Sequence, residues 1–310
     1  MRLSHCAAAL RHAYALLFYT VSFWSGNMVL ARAFRDDLPP IQLAMARWVI
    51  AFFLCLPFAL PLWRTHWPQI KTHWRLLTLL GVLGVGCYNT FAYMALQYTT
   101  AINATLLNTL IPIVTMLLAA VLVHEPISGR KGMGIALALL GVATVITHGD
   151  WTLLAQLEFN RGDLWMLAAV FSWALYTVLL RRRPAGIDPL VQLLFYIAVG
   201  IVVLIPFTLW EHYGLGKVPT LSLTTLLVMA YTGLFPGFLG YIFYNAAVAV
   251  VGASTGSLFL YAMPVLTALL SILFLGESPQ WYHAMGFVLV FAGILITLPR
   301  TSPSRIGHSR

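Results

Sequence analysis

A chain of 310 residues that is 60% hydrophobic and 9% charged holds more apolar surface than one water-soluble core can bury. Its mean hydropathy of +0.86 points the same way. The formal charge of +9 would suit nucleic-acid binding, but the basic residues sort by membrane side, so topology accounts for them and no nucleic-acid partner is expected.

Ten apolar runs of about 20 residues recur, each able to cross a ~30 Å hydrocarbon layer as a helix. They cover 12–31, 40–61, 74–97, 101–123, 130–147, 162–181, 188–209, 222–246, 253–275 and 281–298. Such long unbroken runs fit helices, not the short alternating strands of a barrel. Arg2 and Arg11 precede the first run, but Ser22-Phe23-Trp24-Ser25 is too bulky for a signal-cleavage site, so the run is expected to stay as a span. It carries Trp24 and Asn27. The second run opens near Pro40 and holds Arg47, the only charged residue placed well inside a span. A lone cation there costs about 3 kcal/mol unless it snorkels, pairs or meets water. Arg47 either reaches the outer interface or backbone carbonyls, or it attracts a substrate carboxylate or phosphate.

The third run begins with the small-residue face Gly81, Gly84 and Gly86, suited to close helix approach. Asn89 and Tyr93 follow, four apart and on one helix face. In the fourth run Asn108 stands just ahead of Pro112, a mid-span proline expected to bend its helix. Glu125 ends that run, and Gly134 and Gly141 mark the fifth. The later runs carry Trp173 and Tyr176, then Gly233-Leu234-Phe235-Pro236-Gly237, expected to interrupt its span, then Tyr241 and Asn245. Tyr261 precedes Pro264, and Glu277 precedes the last run with Gly286 and Gly293. Residues 299–310 read as a cytoplasmic tail.

The second half repeats the first. Gly81/Gly233, Phe91/Phe243, Pro112/Pro264, Thr115/Thr267, Glu125/Glu277, Gly134/Gly286 and Gly141/Gly293 match at one offset of 152. Trp24/Trp173, Arg32/Arg181, Pro40/Pro189 and Pro57/Pro206 match at 149. Five spans per copy is an odd number, so the copies cross in opposite directions. The expected fold is an all-α integral membrane protein with ten transmembrane helices in a five-plus-five inverted repeat, residues 12–147 and 162–298. Secondary transporters place substrate where such halves meet.

Of the 18 Lys and Arg residues, thirteen fall on one side of these spans: Arg2, Arg11, Arg64, Lys71, Arg75, Arg130, Lys131, Arg181, Arg182, Arg183, Arg300, Arg305 and Arg310. Four, Arg32, Arg35, Arg161 and Lys217, fall on the other. This places both termini in the cytoplasm. Trp63, Trp67, Trp74, Trp151, Trp210 and Trp281 sit near the expected interfaces as anchors. Cys6, Cys55 and Cys87 show no metal or redox spacing, and no cofactor or metal is expected. No Gly-Lys-Ser/Thr phosphate loop is present, which argues against direct ATP coupling.

Ala95-Leu96-Gln97-Tyr98-Thr99-Thr100-Ala101, Pro112, Glu125-Pro126-Ile127 and the Gly134/Gly141 pair together resemble an EamA domain. Ala247, Ala253, Pro264, Glu277 and Gly286/Gly293 repeat the pattern less strictly. The chain resembles a ten-helix member of the drug/metabolite transporter superfamily over nearly every span. That resemblance implies an inner-membrane carrier of small metabolites, often an exporter of amino acids, and leaves room for a homodimer.

Polar positions recur in both halves. Asn89 and Tyr93 map onto Tyr241 and Asn245, Trp24 and Asn27 onto Trp173 and Tyr176, and Arg47 onto Tyr196. Any one of them can simply bond a neighbouring helix, a contribution of about 1 kcal/mol. As a set, joined by Asn108 and Tyr261, they point to a central cavity for a small-molecule substrate. No Asp or Glu lies mid-span, which argues for facilitated flux or exchange over an embedded proton carrier, with Glu125, Glu277 and His283 as the remaining titratable candidates. Export of an amino acid or similar metabolite is the leading expectation. Uptake of a vitamin, nucleotide derivative or organic anion stands second, and a membrane enzyme, which needs clustered His, Asp or Glu at one face, stands last.

Overall fold

The computed structural model describes residues 2–122, 124, 129–150, 160–180, 182, 184, 186–251 and 259–297, with side chains from residue 12 onward except at 131, 138, 142, 145, 146, 245, 248, 249, 251, 261, 294 and 297. Glu125, Trp151, Glu158, Arg181, Arg183, Ala253 and the 299–310 tail lie outside the described residues, as do the side chains of Asn245 and Tyr261.

Among the described residues the protein is helical and has no strand. The α-helices are α1 (Arg2–Ala33), α2 (Pro40–Gly81), α3 (Tyr88–Leu96), α4 (Ala101–Asn108), α5 (Ile111–Leu122) and α6 (Gly129–Ile146). The second half contributes α7 (Arg161–Leu180), α8 (Pro189–Leu209), α9 (Leu223–Thr232), α10 (Gly240–Val251), α11 (Met263–Leu275) and α12 (Trp281–Thr297). Five helical runs are long and apolar enough to cross a membrane: Pro40–Leu96, Ala101–Leu122, Arg161–Leu180, Pro189–Gly214 and Leu223–Tyr244. The first of these, 57 residues long, departs from helical geometry at His73 (φ −109°, ψ 16°), which divides it into two arms. The sequence placed a loop over 62–73. Instead the helix runs on to His73, with the exposed Pro57, Pro61 and Pro68 within it.

Local chemistry sets several helix starts. Pro40 and Pro189, repeat mates, occupy first-turn positions where a missing N–H costs nothing. Asp188 accepts from Leu190 N at 2.8 Å, Thr100 Oγ1 from Asn103 N at 3.1 Å, and Ser222 forms a capping box with Thr225.

The two halves pack as an inverted pair. α2 and α8 lie against each other antiparallel: Glu211, just past α8, accepts from Ile41 N and Gln42 N at the start of α2. Farther along α2, Cys55 Sγ approaches Leu190 O at the start of α8 (3.6 Å). The remaining contacts come in symmetric couples, α1 on α10 and α11, α7 on α3, α4 and α5. α6 crosses α12 through glycines. A Cβ added to Gly141 would lie 2.8 Å from Gly286 O and 2.9 Å from the Leu289 and Val290 side chains. The glycines matched between the repeats therefore let two backbones meet.

Proline and glycine reshape the spans without cutting them. Val82–Cys87 and Gly233–Leu239, repeat mates, are both π-helical. Pro236 does not interrupt its span as expected. Lacking an N–H, it is accommodated by widening, and Gly240 N–H bonds Phe235 O, five residues back. Pro112 follows a break at Thr109–Leu110 between α4 and α5. Pro264 follows a 3-10 turn, Leu260–Ala262, at the matching place. The two broken helices face each other across the bundle.

At one end of the bundle the halves are tied by polar groups. Gln280 N–H donates to His283 Nδ1 (2.8 Å), which leaves the ring proton on Nε2 to reach Asn103 Oδ1 (2.8 Å). Asn103 Nδ2 donates to Thr99 Oγ1, and Thr99 donates to Asp163 Oδ1. Glu277 accepts from Ala101 N and Ile102 N and lies 3.9 Å from Arg32 Nε. A carboxylate at a helix start is favoured by the exposed N–H groups and the dipole.

Replacing Gly141 by Leu is expected to lower the melting temperature of the detergent-solubilised protein by several degrees, because overpacking costs about 1–3 kcal/mol. Gly129→Ala, where a Cβ meets open space, is expected to leave it unchanged. Identical melting of the two variants would contradict the close α6–α12 crossing.

Candidate functional site

The symmetric breaks and π-helical segments surround a cavity of about 40 Å3, room for a few water molecules. It lies on the pseudo-two-fold axis, because repeat mates line it in pairs: Trp24 with Trp173, Asn89 with Tyr241, Asn108 with Leu260, and Ile111 with Met263. Asn27, Met28, Arg47 and Tyr88 complete the lining. A second, smaller void shares Asn108, Ile111, Leu260 and Met263 and continues past Thr105, Thr109 and Pro112.

Arg47 is 2% exposed, buried too deeply to snorkel. Its Nη2 donates to Pro236 O (3.2 Å) and its Nη1 to Tyr93 Oη (3.1 Å). Tyr93 in turn donates to Asn27 Oδ1 at 2.6 Å. The Pro236 carbonyl also accepts from Trp24 Nε1 (3.1 Å). The π-helical turn makes this possible: Gly240 N–H has moved to Phe235 O, and the Pro236 carbonyl is open to side chains. The guanidinium carbon also lies 4.9 Å from the centre of the Trp48 ring, a cation–π contact. Among the described residues no carboxylate pairs with Arg47. Among the described residues its Nε and the Nδ2 of Asn89, a residue 3% exposed, have no hydrogen-bond partner.

Aromatic rings form the facing wall. Tyr88 and Trp173 centroids are 4.7 Å apart, Trp173 and Tyr241 6.4 Å, and Trp24 and Tyr241 6.1 Å. Tyr88 Oη donates to Asn108 Oδ1 at 3.0 Å.

Seven of the positions singled out from sequence therefore border one cavity: Trp24, Asn27, Arg47, Asn89, Asn108, Trp173 and Tyr241. Tyr93 stands behind Arg47, and Tyr176 stands behind Trp173 with ring centroids 5.1 Å apart. Asn245 and Tyr261 carry no described side chain. Met28, Tyr88, Ile111, Leu260 and Met263 were not singled out. Ile111 and Met263 are repeat mates beside the two prolines, and that adjacency was the available signal.

The sequence profile of the EamA-like transporter family matches residues 11–147 and, a second time, 160–298. The chain is 31% identical over 219 residues to the uncharacterized transporter YyaM of Bacillus subtilis, covering 70% of each protein. It is 24% identical over 285 residues to a probable terminal-alkyne amino-acid exporter of Streptantibioticus cattleyicolor, covering 92% of this chain and 93% of that one. A crystal structure with 22% identity superimposes with a TM-score of 0.61, covering 92% of this chain and 95% of the other, a likeness of fold. With both repeats matched and helices apolar and long enough to span a bilayer, the chain is a multi-pass membrane protein belonging to the EamA-like transporter family.

Proposed function

We propose that the protein is a secondary carrier that exports amino acids or similar small metabolites by alternating access. One observation carries the reading: a cavity on the symmetry axis, lined by mates from both repeats, with a buried amide donor that the protein leaves unmet. A packing network would satisfy its own donors, whereas a site for a transient occupant leaves some open. Rocking the two halves about this axis exposes the cavity to each side in turn. The similarity to an amino-acid exporter supports the choice of cargo. In this reading the chain makes ten crossings of the inner (plasma) membrane with both termini cytoplasmic. Its partners are a small solute and the lipid bilayer, with no nucleic acid, and a homodimer is compatible with it.

The topology is tested by reporter fusions in the segments after Pro61 and Gly149, expected to read cytoplasm and exterior respectively. The same side for both would remove the alternating crossing.

Asn89→Ala is expected to reduce flux per folded molecule several-fold in proteoliposomes, since losing one hydrogen bond to substrate costs about 0.5–1.5 kcal/mol. Its melting temperature should not fall, because Asn89 Nδ2 has no protein partner to lose. Tyr93→Phe behaves in the opposite way. It removes the acceptor of Arg47 and the donor to Asn27, at a cost of about 1–3 kcal/mol per buried group left unmet. Normal flux in Asn89→Ala, measured beside wild type, would count against the cavity as the transport site.

Counterflow in proteoliposomes is expected to proceed without an imposed pH gradient. A strict requirement for one would turn attention to the end-of-bundle groups Asp163, Glu277 and His283.

A further inference from the structure

The walls of the cavity differ by repeat, and that difference identifies an occupant. The first repeat supplies Arg47 and the amides of Asn27, Asn89 and Asn108. The mates of Arg47, Asn89 and Asn108 are Tyr196, Tyr241 and Leu260, so the second repeat adds no charge. Its lining side chains are Trp173, Tyr241, Leu260 and Met263, rings and aliphatic groups. The cavity thus has a single cationic, amide-bearing pole at Arg47 and Asn89, and elsewhere a mainly aromatic and aliphatic lining to which the first repeat adds Trp24, Met28, Tyr88 and Ile111.

The cationic pole is incompletely matched. Arg47 is held by a carbonyl and a phenol, both neutral, and its Nε is unmet. Asn89 Nδ2, in the same lining, is unmet as well. Among the described residues no carboxylate lines the cavity. A desolvated cation with only neutral partners retains uncompensated charge, and a carboxylate is the small group that supplies both charge and acceptors. A second anionic group on the solute would meet no cation in the rest of the lining and would lose its hydration there.

We propose that the cavity binds a small monocarboxylate, with its anionic head at Arg47 and Asn89 and an uncharged apolar tail against Trp173, Tyr241 and Met263. This rests on the cavity being the transport site and adds which end of the solute each repeat recognises. An ammonium group is not needed for recognition, because no acidic side chain waits for one.

The test uses purified full-length protein in detergent near neutral pH, with propionate and propionamide as probes, short enough for a cavity of this size, by calorimetry. Neither probe carries an amino group, so the result is separate from whether amino acids are the exported cargo. The acid is expected to bind at least ~tenfold more tightly than the amide. Arg47→Gln should weaken the acid far more than the amide, so that the two probes bind alike. Asn89→Leu should weaken the acid several-fold without loss of folding. Equal affinities in wild type, no binding of the acid, or a preference that survives Arg47→Gln would overturn the proposal. Should Arg47→Gln not fold, the wild-type preference and the Asn89→Leu response decide it.

Discussion

Burial of one guanidinium constrains the centre of this protein more than any other interaction. Arg47 lies deep in the bundle with no carboxylate beside it among the described residues, so its N–H groups must find neutral acceptors or remain unmet. One acceptor is a backbone carbonyl, and helix carbonyls are ordinarily committed to the N–H four residues on. Pro236 releases one by widening its helix. Gly233 keeps the two backbones close, since a Cβ there would lie 2.5 Å from Ile50 Cβ and 3.1 Å from Arg47 O. The second acceptor, Tyr93, passes the bond on to Asn27 and joins α1, α2 and α3 around one charge.

The same arrangement makes the inverted repeat unequal where it matters. Both halves have a π-helical segment, a helix broken before a proline, and an aromatic residue from the first span of the repeat facing the axis. Symmetry of backbone gives the two halves the same mechanical options. Symmetry of side chains is abandoned at Arg47 and Tyr196, and at Asn89 and Tyr241. The result is a cavity whose one charge and whose amides come from the first repeat alone.

At the end of the bundle where α4 begins, three acidic residues are withdrawn from solvent in whole or in part. Asp163 and Glu211 are each 1% exposed, and Glu211 and Glu277 hold the N–H groups that open α2 and α4 in the opposite repeat. Each bond crosses between halves. Relative motion of the repeats at this end must break them or carry them along, so they weigh the balance between conformations.

The amino-acid sequence by itself determined the membrane class, most helix positions, the correspondence of the two halves and the resemblance to EamA domains. These follow from hydropathy, helical period and fixed offsets, all of which are properties of a one-dimensional string. It also singled out Asn89, Trp24, Arg47 and their mates, because polar residues in apolar runs stand out. Only the tertiary structure decided what those residues touch. Arg47 meets a carbonyl 189 positions away, Tyr93 and Tyr176 stand behind the lining, and Tyr88 joins it. Pro236 widens its helix where the sequence suggested a break, and Glu277 caps a helix 176 residues earlier. These outcomes depend on which helix faces meet, and that is set by the packing of the two halves together, which no local pattern along either half records.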